Sequence, residues 1–330
     1  MTSPASPRVW FERPVPAEMR AEIARACSIH GPEPDDPFAG LADADAVVAG
    51  LARYDATFMD RAPRLRVIAR TGIGYDAVDV AEATRRGIAV CNTPDGPTVS
   101  TAEHAVALML MIAKNVKRAE AVLRAGTTSG YFARHTAIEL DGKTLGLVGF
   151  GRIARRVARI ANGIGMRVIA HDPFLPAAAF PDDVTAVASL RELLGRSDVV
   201  SVHVPLTDAS RRMIGRQQLA WMKPGAVFVN TARGDLVDHD ALLAALGSGH
   251  LAGAGLDVTS PEPLPPDHPL LARDDVVVTP HIASGTLEGR HRMFQAAFEQ
   301  VIDVLEGRRP ANLVDAGVWE RIATTTAAKP

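Results

Sequence analysis

Cysteine is scarce in this sequence, and neither sign of charge is in excess. The chain has only two cysteines, Cys27 and Cys91, with no CxxC pair and no histidine at a metal-ligand spacing. We therefore expect no disulfide scaffold and no bound metal, and we predict a reducing compartment. Lysine and arginine number 36 against 38 aspartates and glutamates, which gives a net charge of −2. Without a basic excess, nucleic acid and anionic lipid surfaces are not expected partners.

Long apolar runs are also missing. The longest run, residues 105–113, is too short to span a bilayer. The first ten residues, MTSPASPRVW, carry no basic segment followed by an apolar core, so we expect no signal peptide there. These features predict a cytoplasmic protein with no membrane partner. The 330 residues, 47% of them hydrophobic, suit about two globular domains.

Strand-like and helix-like segments alternate along the chain, which predicts an α/β fold with parallel sheets. Strands are predicted at residues 46–50, 65–70, 88–92, 145–148, 167–173, 198–206, 226–234, 251–258 and 276–281. Helices are predicted at residues 100–123, 152–164, 189–197, 211–222, 238–249 and 286–307. The first of these helices, with Ser100 or Thr101 as its N-cap, is long enough to connect two lobes.

The segment LVGFGRIARRVARI, residues 147–160, has Gly149 and Gly151 between a predicted strand and a predicted helix. Glycine permits a tight turn at the first position and a close approach of the backbone to a pyrophosphate at the second. The helix N-terminus then offers free N–H groups to the phosphates. Asp172 ends the next strand and suits a ribose diol, while Pro173 offers no cation to a 2′-phosphate. Although such glycines also occur in ordinary turns, the whole unit predicts NAD as the cofactor.

Three charged residues lie at or just beyond the ends of predicted strands, where open α/β sheets bind ligands. Arg233 suits a substrate carboxylate because its planar guanidinium matches two oxygens. His281 suits proton transfer in both directions because histidine titrates near neutral pH. Glu262 would favour the imidazolium and orient the ring. Each residue alone also fits a structural role, but together with the glycine loop they predict an enzyme that reduces 2-keto acids.

The motifs TARGDLVD, GAGLDV with PEP, and TPHIAS, downstream of GKTLGLVGFGRIARRVA, resemble the D-isomer-specific 2-hydroxyacid dehydrogenases over about residues 70–309. The resemblance implies two Rossmann-like lobes. One is a doubly wound parallel-sheet NAD-binding domain at residues 102–285, and the other is a flavodoxin-like substrate domain formed by residues 1–101 with 286–330. It also implies NAD(H) dependence, a homodimer, and catalysis by Arg233, Glu262 and His281.

The same resemblance extends to cofactor and substrate contacts. Cofactor contacts are implied for Thr101, Gly149, Gly151, Arg152, Ile153, Asp172, Pro205, Thr231, Ala232, Arg233, Asp257, His281 and Ser284. Among these, Asp257 would bond the nicotinamide carboxamide. In RTGIGYDAVD the resemblance implies substrate binding by Arg70 and by the backbone N–H groups of Ile73 and Gly74. His203, in VHVPL, is predicted to be structural rather than a second base.

The substrate is predicted less sharply than the enzyme class. SPEPLPPDHPL, residues 260–270, is more similar to glyoxylate and hydroxypyruvate reductases, so we expect such a small 2-keto acid to be converted to its D-2-hydroxy acid. Arg70 resembles an arginine of 3-phosphoglycerate dehydrogenases, which are the alternative, but VVAGLARY (47–54) lacks the arginine expected at the start of its loop. Glu262 argues against formate dehydrogenases. A regulator that senses NAD(H) on the same fold is the alternative from another functional class.

Overall fold

The structure is a computed structural model that describes residues 6–327, with side chains described to residue 322. The chain divides into two compact units. Unit 1 is formed by Met1–Pro97 together with Leu287–Pro330, and unit 2 by Thr98–Thr286. Unit 1 is therefore built from distant parts of the sequence, and unit 2 is a continuous segment.

Within residues 6–327 the chain forms twelve β-strands and twelve α-helices. The strands are β1 Arg8–Phe11, β2 Ser28–His30, β3 Ala46–Ala49, β4 Val67–Arg70, β5 Ala89–Cys91, β6 Thr144–Val148, β7 Arg167–His171, β8 Val184–Ala186, β9 Val199–Val202, β10 Ala226–Asn230, β11 Leu251–Leu256 and β12 Val276–Val278. The helices are α1 Ala17–Ala26, α2 Ala56–Asp60, α3 Val80–Arg85, α4 Thr98–Ala113, α5 Val116–Arg124, α6 Tyr131–Arg134, α7 Arg152–Gly163, α8 Leu190–Arg196, α9 Arg216–Trp221, α10 His239–Gly247, α11 Leu287–Leu305 and α12 Ala316–Ala327. None of these helices combines the length and apolar character needed to cross a membrane.

The sheet of unit 1 has five parallel strands in the order β2-β1-β3-β4-β5, which is the flavodoxin-like arrangement. Successive strand residues point to opposite faces, so two cores form. Phe294, Val301 and Val318, on α11 and α12, pack on one face, while Phe58 and Met59 on α2 pack on the other. The strands β3, β4 and β5 are buried along their whole length, as a sheet covered on both faces requires.

The sheet of unit 2 has seven parallel strands in the order β12-β11-β10-β9-β6-β7-β8, a doubly wound Rossmann arrangement. Leu108 of α4 and Val157 of α7 belong to the core on one face. Leu193, Leu219 and Leu242, on α8, α9 and α10, belong to the core on the other. The order reverses between β6 and β9, so ligands are expected at the carboxyl ends of these strands. The predicted fold class, α/β with two parallel-sheet lobes, is confirmed.

The predicted helix over residues 100–123 is wrong as a single element. It ends at Ala113, and a new helix starts at Val116 because Asn115 adopts a left-handed conformation with φ of +50°. Asparagine tolerates this conformation better than most residues, which makes the break possible. The predicted N-caps are also wrong, because α4 already begins at Thr98 and both residues lie inside it. The hydroxyl of Ser100 instead lies 2.8 Å from that of Thr286.

The predicted helix over residues 211–222 is shorter in the structure. Only Arg216–Trp221 is helical, because Arg212 has φ of +52° and Gly215 is the N-cap. Several short elements were not predicted at all, namely β1, β2, β8, α1, α2, α3, α6 and α12. Most of them span too few residues for a hydrophobic period to show.

Candidate active site

The turn between β6 and α7 contains the two glycines of the predicted dinucleotide loop. Gly149 has φ of +87°, and a Cβ there would lie 2.8 Å from the carbonyl oxygen of His203. Gly151 is exposed and is the N-cap of α7, and apart from the adjoining backbone no heavy atom of the described residues lies within 4 Å of where its Cβ would be. The space beside Gly151 is therefore open to a ligand, and the N–H groups of the helix start there. This geometry fits a pyrophosphate.

Asp172 follows β7 and is fixed beside the glycine loop. Its carboxylate accepts a hydrogen bond from the N–H of Phe150 at 2.9 Å and another from the N–H of Phe174 at 3.0 Å. The residue stays partly exposed. A carboxylate has about four acceptor positions, so two of them suffice for these bonds and the others suit a ribose diol.

The other residues predicted to contact the cofactor also lie in unit 2. Arg152 and Ile153 form the first turn of α7, and Pro205 is exposed after β9. Thr101 is 5% exposed within α4. Thr231, directly after β10, is buried, and its hydroxyl has no hydrogen-bond partner within the described part of the chain. A buried hydroxyl without a partner suits a polar group of a ligand.

Arg233 lies on a turn that the buried Asn230 shapes. The Asn230 Nδ2 donates to the carbonyl oxygen of Arg233 at 2.8 Å, and its Oδ1 accepts from the N–H of Ala232 at 3.0 Å. The guanidinium donates to the carbonyl oxygen of Ala232 at 2.7 Å. A Cβ on Gly234 would lie 2.0 Å from the carbonyl oxygen of Thr259, so glycine lets this turn pack against the loop that leads to Glu262.

His281 and Glu262 form a direct pair. The Nδ1 of His281 lies 2.6 Å from Oε1 of Glu262, and the two side chains are 21% and 35% exposed. The N–H of Thr259 donates to the other carboxylate oxygen at 3.3 Å. Because Nδ1 is used in this pair, Nε2 is the ring nitrogen for proton exchange with a ligand.

Asp257, directly after β11, holds the segment that contains His281. Its carboxylate accepts from the hydroxyl of Thr279 at 2.6 Å and from the N–H groups of Ile282 and Ala283 at 2.9 and 2.8 Å. The N–H of His281 donates to the carbonyl oxygen of Asp257 at 2.8 Å. The Asp257 side chain is 0% exposed, so these contacts make it a positioning residue. Its contact with a carboxamide stays a prediction.

Three positioning residues were missed by the sequence reasoning, namely Asn230, Thr279 and His104. The Nε2 of His104, on α4, lies 2.9 Å from the hydroxyl of Thr279, so this imidazole extends the network that starts at Asp257. A polar side chain at the end of an apolar strand is the signal that identifies the first two, because it must find a partner when buried. Ser284 follows the same segment and is partly buried.

The charges around Glu262 favour its ionised form. Burial acts to raise its pKa, but the hydrogen bond and charge of His281, the N–H of Thr259 and the charge of Arg233 together hold the pKa below its usual value. The carboxylate is therefore negative at neutral pH. His281 follows β12, Arg233 follows β10, and β11 lies between these strands, so all three predicted groups share one edge of the sheet.

His203 differs from His281 in its surroundings. Its Nε2 lies 2.9 Å from the hydroxyl of Ser201, and its backbone packs against Gly149. Although part of the residue is exposed, burial of the ring lowers its pKa to about 4. His203 is therefore neutral at physiological pH, which supports the structural role predicted for it.

The predicted substrate residues lie in unit 1, on the loop after β4. Arg70 is 4% exposed, and it donates through Nε to the carbonyl oxygen of Gly74 at 2.9 Å and through Nη1 to that of Ala49 at 3.2 Å. Asn92 donates to the carbonyl oxygen of Ile73 at 2.8 Å. Across residues 6–327 we find no acceptor for the N–H groups of Ile73 and Gly74. These hydrogen bonds of the buried Arg70 side chain hold the loop after β4 in place.

Comparison with known proteins identifies the family. The sequence profile of the D-isomer specific 2-hydroxyacid dehydrogenase NAD-binding domain matches residues 106–283, more than half of the chain. The chain belongs to the D-isomer specific 2-hydroxyacid dehydrogenase family. This dehydrogenase is an oxidoreductase that acts on CH–OH donors, and its NAD-binding segment contains the glycine loop and the His281 pair described above. The predicted family and enzyme class are confirmed.

The dehydrogenase is similar to proteins with different names. It is 40% identical to a glyoxylate reductase of Korarchaeum cryptofilum, over 94% of this chain and 97% of that protein. It is 41% identical to a D-3-phosphoglycerate dehydrogenase of Methanocaldococcus jannaschii, over 83% of this chain but 52% of that protein. The crystal structure of the TT0316 protein from Thermus thermophilus matches with a TM-score of 0.84 and 42% identity, over 93% of this chain and 100% of that one.

Proposed function

We propose that this dehydrogenase reduces a small 2-keto acid, such as glyoxylate or hydroxypyruvate, to its D-2-hydroxy acid with NADH. One observation carries the proposal, the 2.6 Å contact between His281 Nδ1 and Glu262 Oε1. The contact gives a histidine with one ring nitrogen oriented by a carboxylate and the other left for a substrate. The same sheet edge carries the guanidinium of Arg233, whose charge acts on Glu262.

Each of these groups has one task in the proposed reaction. Bound NADH would supply the hydride that adds to the carbonyl carbon. The protonated Nε2 of His281 donates its proton to the carbonyl oxygen, and in the reverse direction it accepts that proton. Glu262 orients the ring and favours its protonated form. Arg233 pairs with the substrate carboxylate through its planar guanidinium.

The cofactor contacts proposed for unit 2 fit the observed loop. The backbone around Gly149 and Gly151 would hold the pyrophosphate, and Asp172 the ribose diol. The unpartnered hydroxyl of Thr231 supports a contact to the cofactor there. In this scheme residues 102–285 act as the NAD-binding domain and residues 1–101 with 286–330 as the substrate domain. The unpaired N–H groups of Ile73 and Gly74 support carboxylate binding by the latter.

Two features bear on the choice of substrate. Relatives named glyoxylate reductase are 38% to 43% identical to this chain and match over 84% to 97% of their own length. These matches support a small keto acid. Arg70, at the end of β4, makes 3-phosphoglycerate the second candidate, because the family resemblance places an arginine of those enzymes at this position.

The proposal is tested with a panel of 2-keto acids and NADH or NADPH, followed at the nicotinamide absorbance. We expect the highest kcat/KM with glyoxylate or hydroxypyruvate and NADH. His281→Ala should lower kcat by roughly 10²–10⁴-fold, the usual share of a general acid, with NADH affinity retained.

The matched control is His291→Ala, because His291 is an exposed histidine of unit 1 outside the site. It should retain the activity of the unmodified enzyme. Full turnover by His281→Ala would contradict the proton-transfer role. Binding of NADH with no consumption on addition of any keto acid would instead indicate an NAD(H)-sensing regulator.

The proposal extends to a homodimer in the cytoplasm. Support for a dimer comes from three exposed apolar side chains on or next to α5 and α6, namely Val116, Leu123 and Phe132, which are 44%, 67% and 97% exposed. Exposed apolar side chains of this size are frequent at protein interfaces. Support for a reducing compartment comes from Cys27 and Cys91, which are both free thiols.

A further inference from the structure

The carboxyl ends of β1 and β3 form the switch point of the unit 1 sheet. In the order β2-β1-β3-β4-β5 the chain direction across the sheet reverses between these two strands. Open α/β sheets bind ligands at such points, often through backbone N–H groups that converge on an anion. Glu12 is the first residue after β1, and Gly50 is the first residue after β3. The two residues therefore lie where a ligand anion would be expected.

Three consecutive N–H groups converge there on the carboxylate of Glu12. Gly50 donates to Oε2 at 2.6 Å, Leu51 to Oε1 at 2.9 Å, and Ala52 to Oε1 at 3.2 Å. A Cβ on Gly50 would lie 2.5 Å from Oε1, so only glycine lets the carboxylate approach this closely. We call residues 50–52 the 50–52 nest. It has the geometry of an anion site, and a carboxylate of the same chain fills it.

Tyr54 fixes the same carboxylate from the buried side. Its hydroxyl donates to Oε2 of Glu12, and its ring, which is 0% exposed, packs edge-on against Phe58 at a centroid distance of 4.7 Å. The backbone of Tyr54 bonds to Ala77 and Asp79 at 2.8 and 3.0 Å. Burial and the charge of Glu12 raise the pKa of the phenol, so it stays a donor at any physiological pH.

The 50–52 nest is also joined to the predicted substrate loop. Ala49, directly before the nest, accepts hydrogen bonds at its carbonyl oxygen from Arg70 Nη1 at 3.2 Å and from both the N–H and the hydroxyl of Thr71 at 3.0 Å. Arg70 then bonds to Gly74 at 2.9 Å. A shift of the nest would therefore move the loop that presents the N–H groups of Ile73 and Gly74.

We propose that Glu12 is a specificity-determining residue that fills the 50–52 nest and excludes an anionic substrate tail, such as a phosphate, from the switch point of unit 1. This inference rests on the proposed function for its substrate class. A phosphate at the nest could not bond to the three N–H donors, because Glu12 already occupies them. The negative charge of Glu12 would also repel the phosphate at short range. A neutral tail, such as the hydroxymethyl group of hydroxypyruvate, meets no such repulsion. Glu12 therefore selects uncharged over phosphorylated 2-keto acids.

The first experiment compares kcat/KM for hydroxypyruvate and for its phosphate ester in Glu12→Ala. We expect the ratio of phosphorylated to unphosphorylated substrate to rise at least tenfold over the unmodified enzyme. Glu22→Gln is the matched control, because Glu22 is an exposed glutamate of the neighbouring α1, and it should leave the ratio unchanged. An unchanged ratio in a folded Glu12→Ala enzyme overturns the proposal.

A second readout does not depend on turnover. Inorganic phosphate should raise the Tm of Glu12→Ala progressively as its concentration rises above the Kd, but not the Tm of the unmodified enzyme or of Glu22→Gln. An equal effect of phosphate on all three proteins overturns the proposal. If none of the keto acids is turned over, the proposed function fails, while this binding test still decides the role of Glu12.

Glu12→Gln covers the case in which Glu12→Ala does not fold. The amide keeps an acceptor oxygen for the 50–52 nest and nearly the same volume, but it removes the negative charge. Because the amide has one acceptor oxygen in place of two, we expect a somewhat lower Tm, and a ratio of phosphorylated to unphosphorylated substrate that rises several-fold. A ratio that stays constant in this variant contradicts the exclusion by charge.

Discussion

At the scale of single residues, His281 is constrained through both its backbone and its side chain. It has φ of +53°, and its N–H donates to the carbonyl oxygens of Asp257 and Thr279 at 2.8 and 3.0 Å. Residues other than glycine in this conformation are held there at a cost in free energy and are frequent at functional sites. The contact with Glu262 then fixes the rotation of the ring. The imidazole is therefore oriented before any ligand binds.

Glu262→Gln should change the pH dependence of this enzyme. The pKa of Glu262 is lowered, so the carboxylate is charged throughout the neutral range. It lies 2.6 Å from the ring nitrogen of the proposed proton donor. Glu262→Gln removes this negative charge from beside the donor, so the pH profile of kcat/KM for reduction should shift.

The measurement is the pH profile of kcat/KM for reduction by the unmodified enzyme and by Glu262→Gln. Glu288→Gln, at an exposed glutamate of α11, is the control and should keep the unmodified profile. Superimposable profiles for the enzyme and Glu262→Gln would remove the carboxylate from proton transfer.

The sequence predicted the charged residues of the site better than the residues that position the surrounding turns. Arg233, Glu262 and His281 follow strands and have side chains with obvious chemistry. Glu12 does not show its role in the sequence, because its partners depend on the three-dimensional course of a neighbouring turn. The carboxylate of Glu12, for example, bonds to N–H groups 38 to 40 residues away.

At the scale of elements, the turn between β6 and α7 offers two glycines with different constraints. Gly149→Ala meets a positive φ and a backbone oxygen 2.8 Å from the new Cβ, so it should destabilise the fold by roughly 1–3 kcal/mol. Gly151→Ser adds a Cβ to open space at the N-cap of α7, where serine is favoured over glycine. Its stability should be retained, while NADH affinity should fall by about tenfold or more, because the new atom lies where the pyrophosphate approaches.

The pair is measured by thermal unfolding without cofactor and by NADH titration. Each variant is a control for the other, because Gly149→Ala is expected to lower the Tm and Gly151→Ser is expected to lower NADH affinity. Unchanged NADH affinity in Gly151→Ser would show that the cofactor does not bind at this helix N-terminus.

The elements that the sequence predicted are those with a strong local signal. The helices α8 and α10 begin one residue after the predicted starts, Ser189 and Asp238, whose side chains cap them by accepting from the N–H groups of Glu192 and Ala241. The break at Asn115 has no such signal, because a single left-handed asparagine between two helical stretches leaves the apolar pattern nearly intact. β8 has three residues, of which two are exposed, so it lacks the apolar run that identified other short strands.

At the scale of the whole molecule, the sequence order hides how unit 1 is assembled. The helix α11, which follows unit 2 in the sequence, packs on the N-terminal sheet, where Arg66 donates to the carbonyl oxygen of Val304 at 3.2 Å. Asn92 and Asn312 are joined by a backbone hydrogen bond of 3.2 Å. Periodicity within one segment cannot show contacts over more than 200 residues, so only the family resemblance predicted that the last helix returns to the first lobe.

Both cysteines belong to this unit, which makes thiol labelling a test of its integrity. Cys27 and Cys91 are 2% and 0% exposed, and burial raises their pKa values to about 11 and about 12. The thiolate is the reactive form, and at pH 8 a thiol with a pKa of 11 is ionised in only about one molecule in a thousand. We expect no labelling by an alkylating reagent in native buffer at pH 8 and two labels per chain in denaturant, counted by mass spectrometry. Because unit 2 has no cysteine, labelling at intermediate denaturant concentrations reports the opening of unit 1 alone. Rapid labelling of either thiol in native buffer would show that the core between the unit 1 sheet and α11 is not closed as described.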